Sequence, residues 1–198
     1  MASHASRGTL RDAVKFMWHT GCRPQELRII EARWISGPVI TIPKEFAKGK
    51  RKVRVIPLNP MARRIAARLA QQHPHGPIFR NERGVPFRKD GLAQSLRRAC
   101  KRAGLKSLCP YAFRHGNITR LLERGVDIAT VAAISGNSPR MVADGTTTSE
   151  TTTSGYWTWL TVPGNGSRRR GGIRPARAEL RIFACEYAHV RTAFARLS

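Results

Sequence analysis

The chain has 198 residues, and its 36 Lys+Arg against 12 Asp+Glu give a formal net charge of +24. Hydrophobic residues at 41% exclude a wholly disordered chain, and no apolar run reaches the ~18 residues of a membrane span. An isoelectric point near 11.6 points to a polyanionic partner, nucleic acid ahead of an anionic membrane surface, because each neutralised phosphate releases condensed counterions.

Residues 9–19 place Leu10, Val14, Met17 and Trp18 on one helical stripe that ends at Gly21. Pro24 opens a second helix, expected to run to Trp34 with Leu27, Ile29 and Ile30 inward. The period then changes. Residues 38–43 and 52–58 alternate, with Val53 and Val55 on one face and Arg54 and Ile56 on the other, and read as a hairpin with a basic connection. Pro60 begins a helix carrying Ile65 and Leu69, and residues 78–87 are extended around a turn at Gly84. Residues 89–103 form a helix with Leu92, Leu96 and Ala99 inward, capped by Gly104. A further helix spans 111–124, and Asp127 caps the next, which stops at Gly136. The body is therefore mainly α with a small antiparallel β-sheet.

Beyond Val142 the composition shifts. Residues 143–198 contain 8 Arg and no Lys, with the low-complexity run GTTTSETTTSG and the loop-forming GNGSRRRGG. These features divide the chain into a folded unit over 8–142 and a poorly ordered tail over 143–198. The N-terminal stretch, residues 1–7, lacks the apolar core of a signal peptide. Cys22, Cys100, Cys109 and Cys185 are widely separated, which suits reduced thiols in a cytoplasmic protein rather than a disulfide frame. His73 and His75 flank Pro74 with no cysteine beside them, so no metal site is expected there.

Four stretches carry chemistry. They are TGCRPQEL at 20–27, the basic KGKRKVR at 48–54 leading to Pro57-Leu58, YAFRH at 111–115, and ISGNS at 134–138. In this order and spacing they resemble the catalytic domain of the tyrosine recombinase, or phage integrase, family, over about residues 8–142. The resemblance implies that family's mainly α fold with a small antiparallel sheet, and site-specific cleavage and rejoining of double-stranded DNA. In such enzymes a tyrosine hydroxyl attacks the phosphodiester, leaving a 3'-phosphotyrosine and a free 5'-hydroxyl. The covalent link retains the bond energy, so neither ATP, metal nor other cofactor is implied. Charge on the phosphorane then has to be met by side chains, and arginine's fixed planar fork suits two phosphate oxygens.

By this resemblance Arg23 and Arg114 are the arginine pair, and Lys48 is the lysine that protonates the leaving 5'-oxygen, with Lys50 and Lys52 as alternatives. Lys50, Arg51, Lys52 and Arg54 are expected to touch DNA phosphates. Tyr111 stands where the family has a histidine. It either donates a hydrogen bond to phosphate or packs as an aromatic. His115 matches a histidine that buttresses the helix. Asn137, 23 residues after Arg114, replaces a His or Trp, and its amide can donate to a non-bridging oxygen but cannot take a proton.

The nucleophile is displaced or lost. The family's tyrosine falls about nine residues after Asn137, at Thr146, and the next tyrosines are Tyr156 and Tyr187. Tyr187-Ala188-His189-Val190 resembles the family's terminal Y-x-H turn, which makes Tyr187 the in-frame candidate. Alternatively, Gly145-Thr146-Thr147 can be encoded so that a shifted frame reads His-Tyr, which makes the tail a frame-shifted remnant. Only about eight residues precede the first helix, so the family's separate core-binding domain is expected to be absent. The resemblance suggests an oligomer on DNA. The rival to an active recombinase is a catalytically inactive DNA-binding remnant of an integrase.

Overall fold

The computed structural model describes residues 8–47, 49 and 52–147. Lys48, Lys50, Arg51 and Tyr187 lie outside the described residues, as do Tyr156 and all of the tail beyond Thr147.

Helix α1 (Gly8–Thr20) buries Leu10, Ala13, Val14, Phe16, Met17 and Trp18, a wider apolar face than a surface helix needs. It is the centre of the fold, packing on four of the later helices. Helix α2 (Pro24–Ile29) has proline at its start, where the missing N–H costs nothing. It is shorter than its sequence suggests. Ile30 turns to extended backbone, Glu31 bridges Pro77, and the Ile78 N–H donates to the Ile30 carbonyl at 2.8 Å. Pairing with the 77–78 segment thus wins over the helical propensity of 31–34, which forms only a 3-10 turn at Ala32–Trp34.

Strands β1 (Ile35–Ser36), β2 (Val39–Ile42) and β3 (Arg54–Pro57) form an antiparallel sheet in the order β1-β2-β3. The hairpin register pairs Ile40 with Ile56 and Ile42 with Arg54, so these four share the covered face while Val55 looks outward. Helix α3 (Pro60–Gln72) starts at Asn59, whose side chain accepts from the Ala62 N–H at 2.9 Å. The extended piece between α3 and α4 closes a bridge from Arg80 to Pro86. Helix α4 (Gly91–Arg102) buries Leu92, Leu96, Ala99 and Cys100, and its arginines and lysine face solvent.

Helices α5 (Tyr111–Glu123), α6 (Ile128–Ser135) and α7 (Pro139–Thr147) complete the described chain. α1 packs against α2, α3, α4 and α5, and α6 packs against α5, α7 and β3. The main core runs from α1 through the sheet to Phe79 and α4, with Phe16 and Phe79 rings 4.9 Å apart. A second cluster joins Val131, Ala132 and Val142 to the partly buried Ile118, Leu121, Leu122 and Val126. Val142 is anchored in that cluster, and α7, which carries it, runs on to Thr147. Among the described residues no helix is long and apolar enough to cross a membrane.

Candidate active site

Three chain turns meet at one place. The first is the 21–23 turn between α1 and α2, where Arg23 occupies the N-cap of α2. Glu26, one turn into that helix, reaches back: its Oε2 accepts from the Arg23 backbone N–H at 2.8 Å and its Oε1 from Arg23 Nη1 at 2.8 Å. This fixes both the backbone and the head group of Arg23. The second is the inward face of α5, where Arg114 is 3% exposed and its Nη1 donates to the Gly21 carbonyl at 2.6 Å. The third is the end of α6, where Gly136 takes the left-handed conformation (φ 69°) and turns the chain to Asn137.

Arg23 and Arg114 converge on a single atom. Arg114 Nη2 donates to Asn137 Oδ1 at 2.9 Å, and Arg23 Nη2 donates to the same oxygen at 3.1 Å. With two guanidiniums facing it, the amide presents its acceptor end. Guanidinium can only donate, so Oδ1 faces the arginines, while the expected donation is a property of the other end of the amide, Nδ2. Arg23 Nη2 also donates to the Gly136 carbonyl, placing a cation at the negative end of α6.

The electrostatics are those of an anion seat. Burial and the neighbouring Arg23 push Arg114 down to about 10, whereas Glu26 acts to hold it up. Two like charges kept this close, one of them buried, form an arrangement that a bound anion relieves. Cys22, immediately before Arg23, is fully buried, and burial together with Glu26 pushes its thiol up to about 12. It is a packing residue and no nucleophile. His115 is half-buried, and its burial and Arg114 hold it below the ordinary histidine range.

The other expected positions divide. Tyr111, 41% exposed at the start of α5, has its ring centroid 6.5 Å from that of His115 and does not pack into the core. Lys52 is exposed on the hairpin connection, as a phosphate contact would require. Arg54 is not. It is 9% exposed, because its strand register turns it to the covered face with Ile40, Ile42 and Ile56. There its Nε donates to Glu26 Oε1 at 3.3 Å, its Nη1 to its neighbour's carbonyl at Val55 at 2.6 Å, and its Nη2 to the Ile134 carbonyl at 2.8 Å. The expectation that Arg54 lies against DNA phosphate is therefore corrected: it is an interior ion-pair residue. Glu26 is the participant that sequence reasoning did not single out, and Arg54 was expected in another role. For Glu26 the signal was present, as an acidic residue three positions after a helix N-cap. Among the described residues no cluster of three His, Cys, Asp or Glu groups could hold a metal.

A mainly helical domain with one small antiparallel sheet has counterparts among solved structures. The fold is shared with the Tn1549 transposon integrase (residues 82–397) solved with circular intermediate DNA, at a TM-score of 0.57 and 20% identity, covering 67% of this chain and 53% of that one. It is also shared with XerA recombinase, at a TM-score of 0.54 and 19% identity, covering 71% and 56%. In sequence, 137 residues are 28% identical to tyrosine recombinase XerD of Staphylococcus saprophyticus, covering 65% of this chain and 46% of that protein. Over 137 residues the identity to XerD of Corynebacterium glutamicum is 30%, covering 65% and 44%. The family model described as "Phage integrase family" matches residues 2–143, and the chain belongs to that family. It spans less than half the length of these curated relatives.

Proposed function

We propose that this chain is the phosphate-handling part of a site-specific DNA recombinase, acting on double-stranded DNA through a phosphotyrosine intermediate. The observation that carries the reading is the convergence of Arg23 and Arg114 on one oxygen atom, 3.1 and 2.9 Å away. A non-bridging oxygen of a scissile phosphate seated at that point receives a charge-assisted hydrogen bond from each arginine. As the nucleophile's oxygen adds to phosphorus, negative charge grows on the non-bridging oxygens, and donors fixed in advance stabilise it with no reorganisation. Glu26 holds Arg23 ready from both its backbone and its side chain. The P–O5' bond breaks as the P–Oη bond forms, the phenol gives its proton to solvent, and the departing 5'-oxygen takes a proton from Lys48, the role the family resemblance implies for it.

A second reading is favoured by α7. The position at which the family carries its tyrosine is Thr146, within that helix. A chain with the arginine seat but no tyrosine there binds DNA without cleaving it, as a remnant. Tyr187 is the in-frame alternative nucleophile.

A nicked suicide substrate separates the readings. An active enzyme accumulates a DNA adduct that survives denaturant and is abolished by Tyr187→Phe, whereas a remnant gives only a salt-sensitive mobility shift. The nucleotide sequence across codons 140–150 tests the frame-shift directly: a shifted frame that spells no tyrosine rejects it. Preferential binding of A-form RNA over duplex DNA contradicts both readings.

A further inference from the structure

Arg54 is one of two guanidiniums on a single buried carboxylate. Glu26 is 4% exposed, and its Oε1 accepts from both Arg23 Nη1 at 2.8 Å and Arg54 Nε at 3.3 Å. A buried carboxylate with one guanidinium forms a pair of zero net charge. Were Arg23 the sole partner of Glu26, the pair would present little charge to a phosphate, and Arg114 alone would remain to attract it. With Arg54 present, Glu26 is shared, and three cations surround one anion. The strand register makes this arrangement possible: Arg54 lies opposite Ile42 on the covered face of the hairpin, pointing at α2 and α6.

Its Nη1 bonds the Val55 carbonyl on its own strand, and its Nη2 goes to the end of α6. Arg54 Nη2 donates to the Ile134 carbonyl at 2.8 Å, at the end of the helix whose next turn supplies Gly136 and Asn137. The space is full, since a Cβ on Gly136 would come within 2.9 Å of both Arg54 Cζ and Nε, and 3.2 Å of Arg23 Nη1. Arg54 thus ties β3, α2 and the end of α6 together at the point where the arginine pair converges.

We infer that Arg54 is a positioning residue whose charge balances Glu26, so that Glu26 orients Arg23 without cancelling the positive charge Arg23 offers to phosphate. This rests on the anion seat proposed above. It assigns Arg54 no contact with DNA.

The test uses the full chain and inorganic sulfate as probe, with the side-chain Nε–H resonances of Arg23 and Arg114 followed by NMR during titration. Arg54→Met is expected to weaken sulfate binding about tenfold, and adding Glu26→Gln to it to recover affinity to within about threefold of wild type, because the uncompensated carboxylate is gone. Arg54→Lys keeps a cation beside Glu26 but loses the carbonyl bonds, so it is expected to melt earlier while binding sulfate within about threefold of wild type. A residue serving only the fold leaves the sulfate affinity of the folded protein unchanged in Arg54→Met. That result overturns the inference, as does a double variant that binds no better than Arg54→Met. Where Arg54→Met does not fold, Arg54→Gln, which keeps hydrogen-bonding groups but no charge, decides: a tenfold loss supports the inference, and retained affinity overturns it. If sulfate moves neither resonance in the wild type, the anion seat itself is rejected, an outcome distinct from all of these.

Discussion

Arg23, Arg114 and Asn137 are separated by up to 114 positions in the chain, yet they share one hydrogen-bonding point. Each was singled out through the resemblance to the integrase motifs, since a charged turn residue or a helix-borne arginine taken alone reads as a solvated charge. Arg54 was misread for a physical reason: in a run of five basic residues at 48–54, nothing local says which one the sheet register turns inward. At this scale the expected result is that Arg114→Lys lowers sulfate affinity about tenfold or more, since an ammonium cannot bridge the Gly21 carbonyl and an anion as a planar fork does. Isothermal titration measures it, and unchanged affinity contradicts the seat. A pH effect follows from His115. Its folded-state value lies below the ordinary histidine range, so on acidification the unfolded chain takes up the proton first. Stability is therefore lost as pH falls through about 6.5 towards the lowered folded value. Urea unfolding at pH 7.5 and 5.5 is expected to show a smaller loss in His115→Gln than in the wild type; an equal loss assigns the effect elsewhere, His19 being also lowered by burial.

Most helices follow from apolar spacing and punctuation. Asp127 does cap α6, accepting from the Thr130 N–H at 2.9 Å, and Gly136 does end it. The elements that escaped were set by distant partners: α2 stops early because residues 30–31 pair with 77–78, and β1 exists only as a short edge on β2. The junctions between elements carry two expected outcomes. Gly116 lies where α5 crosses α1, and a Cβ there would stand 2.7 Å from Trp18 Cζ3, on a ring also covered by Arg120. Gly116→Ala is expected to cost about 1–3 kcal/mol by overpacking, read by chemical denaturation. Gly136→Ala combines a positive φ with a clash against Arg54. It should cost about 1 kcal/mol or more and also weaken sulfate binding, whereas Gly116→Ala should leave that binding unchanged. In α7, Thr146→Tyr restores a phenol at the family's spacing. If the chain is a remnant, this single change is expected to yield a detectable covalent DNA adduct on a nicked substrate, and wild type none.

Over the whole molecule, charge and fold act together. The net charge of +24 favours a polyanionic partner without saying which phosphate is gripped, whereas the proposed arginine seat would single out one. Long-range charge was fully legible in the composition. The position of the seat was not, since it depends on how α6 packs on β3 and α5. Duplex binding should lose affinity steeply with salt. With about six or more phosphates neutralised, log K against log salt has a slope of about −5 or steeper, measurable by fluorescence anisotropy between about 50 and 200 mM.

The central claim is that Arg23 and Arg114 together hold one tetrahedral anion. Anomalous diffraction from crystals soaked in tungstate tests it most directly. The account predicts a single strong site within hydrogen-bonding distance of both guanidiniums, with the Asn137 amide displaced from between them. Tungstate bound only to surface lysines and arginines, with Asn137 still joining the pair, would contradict it.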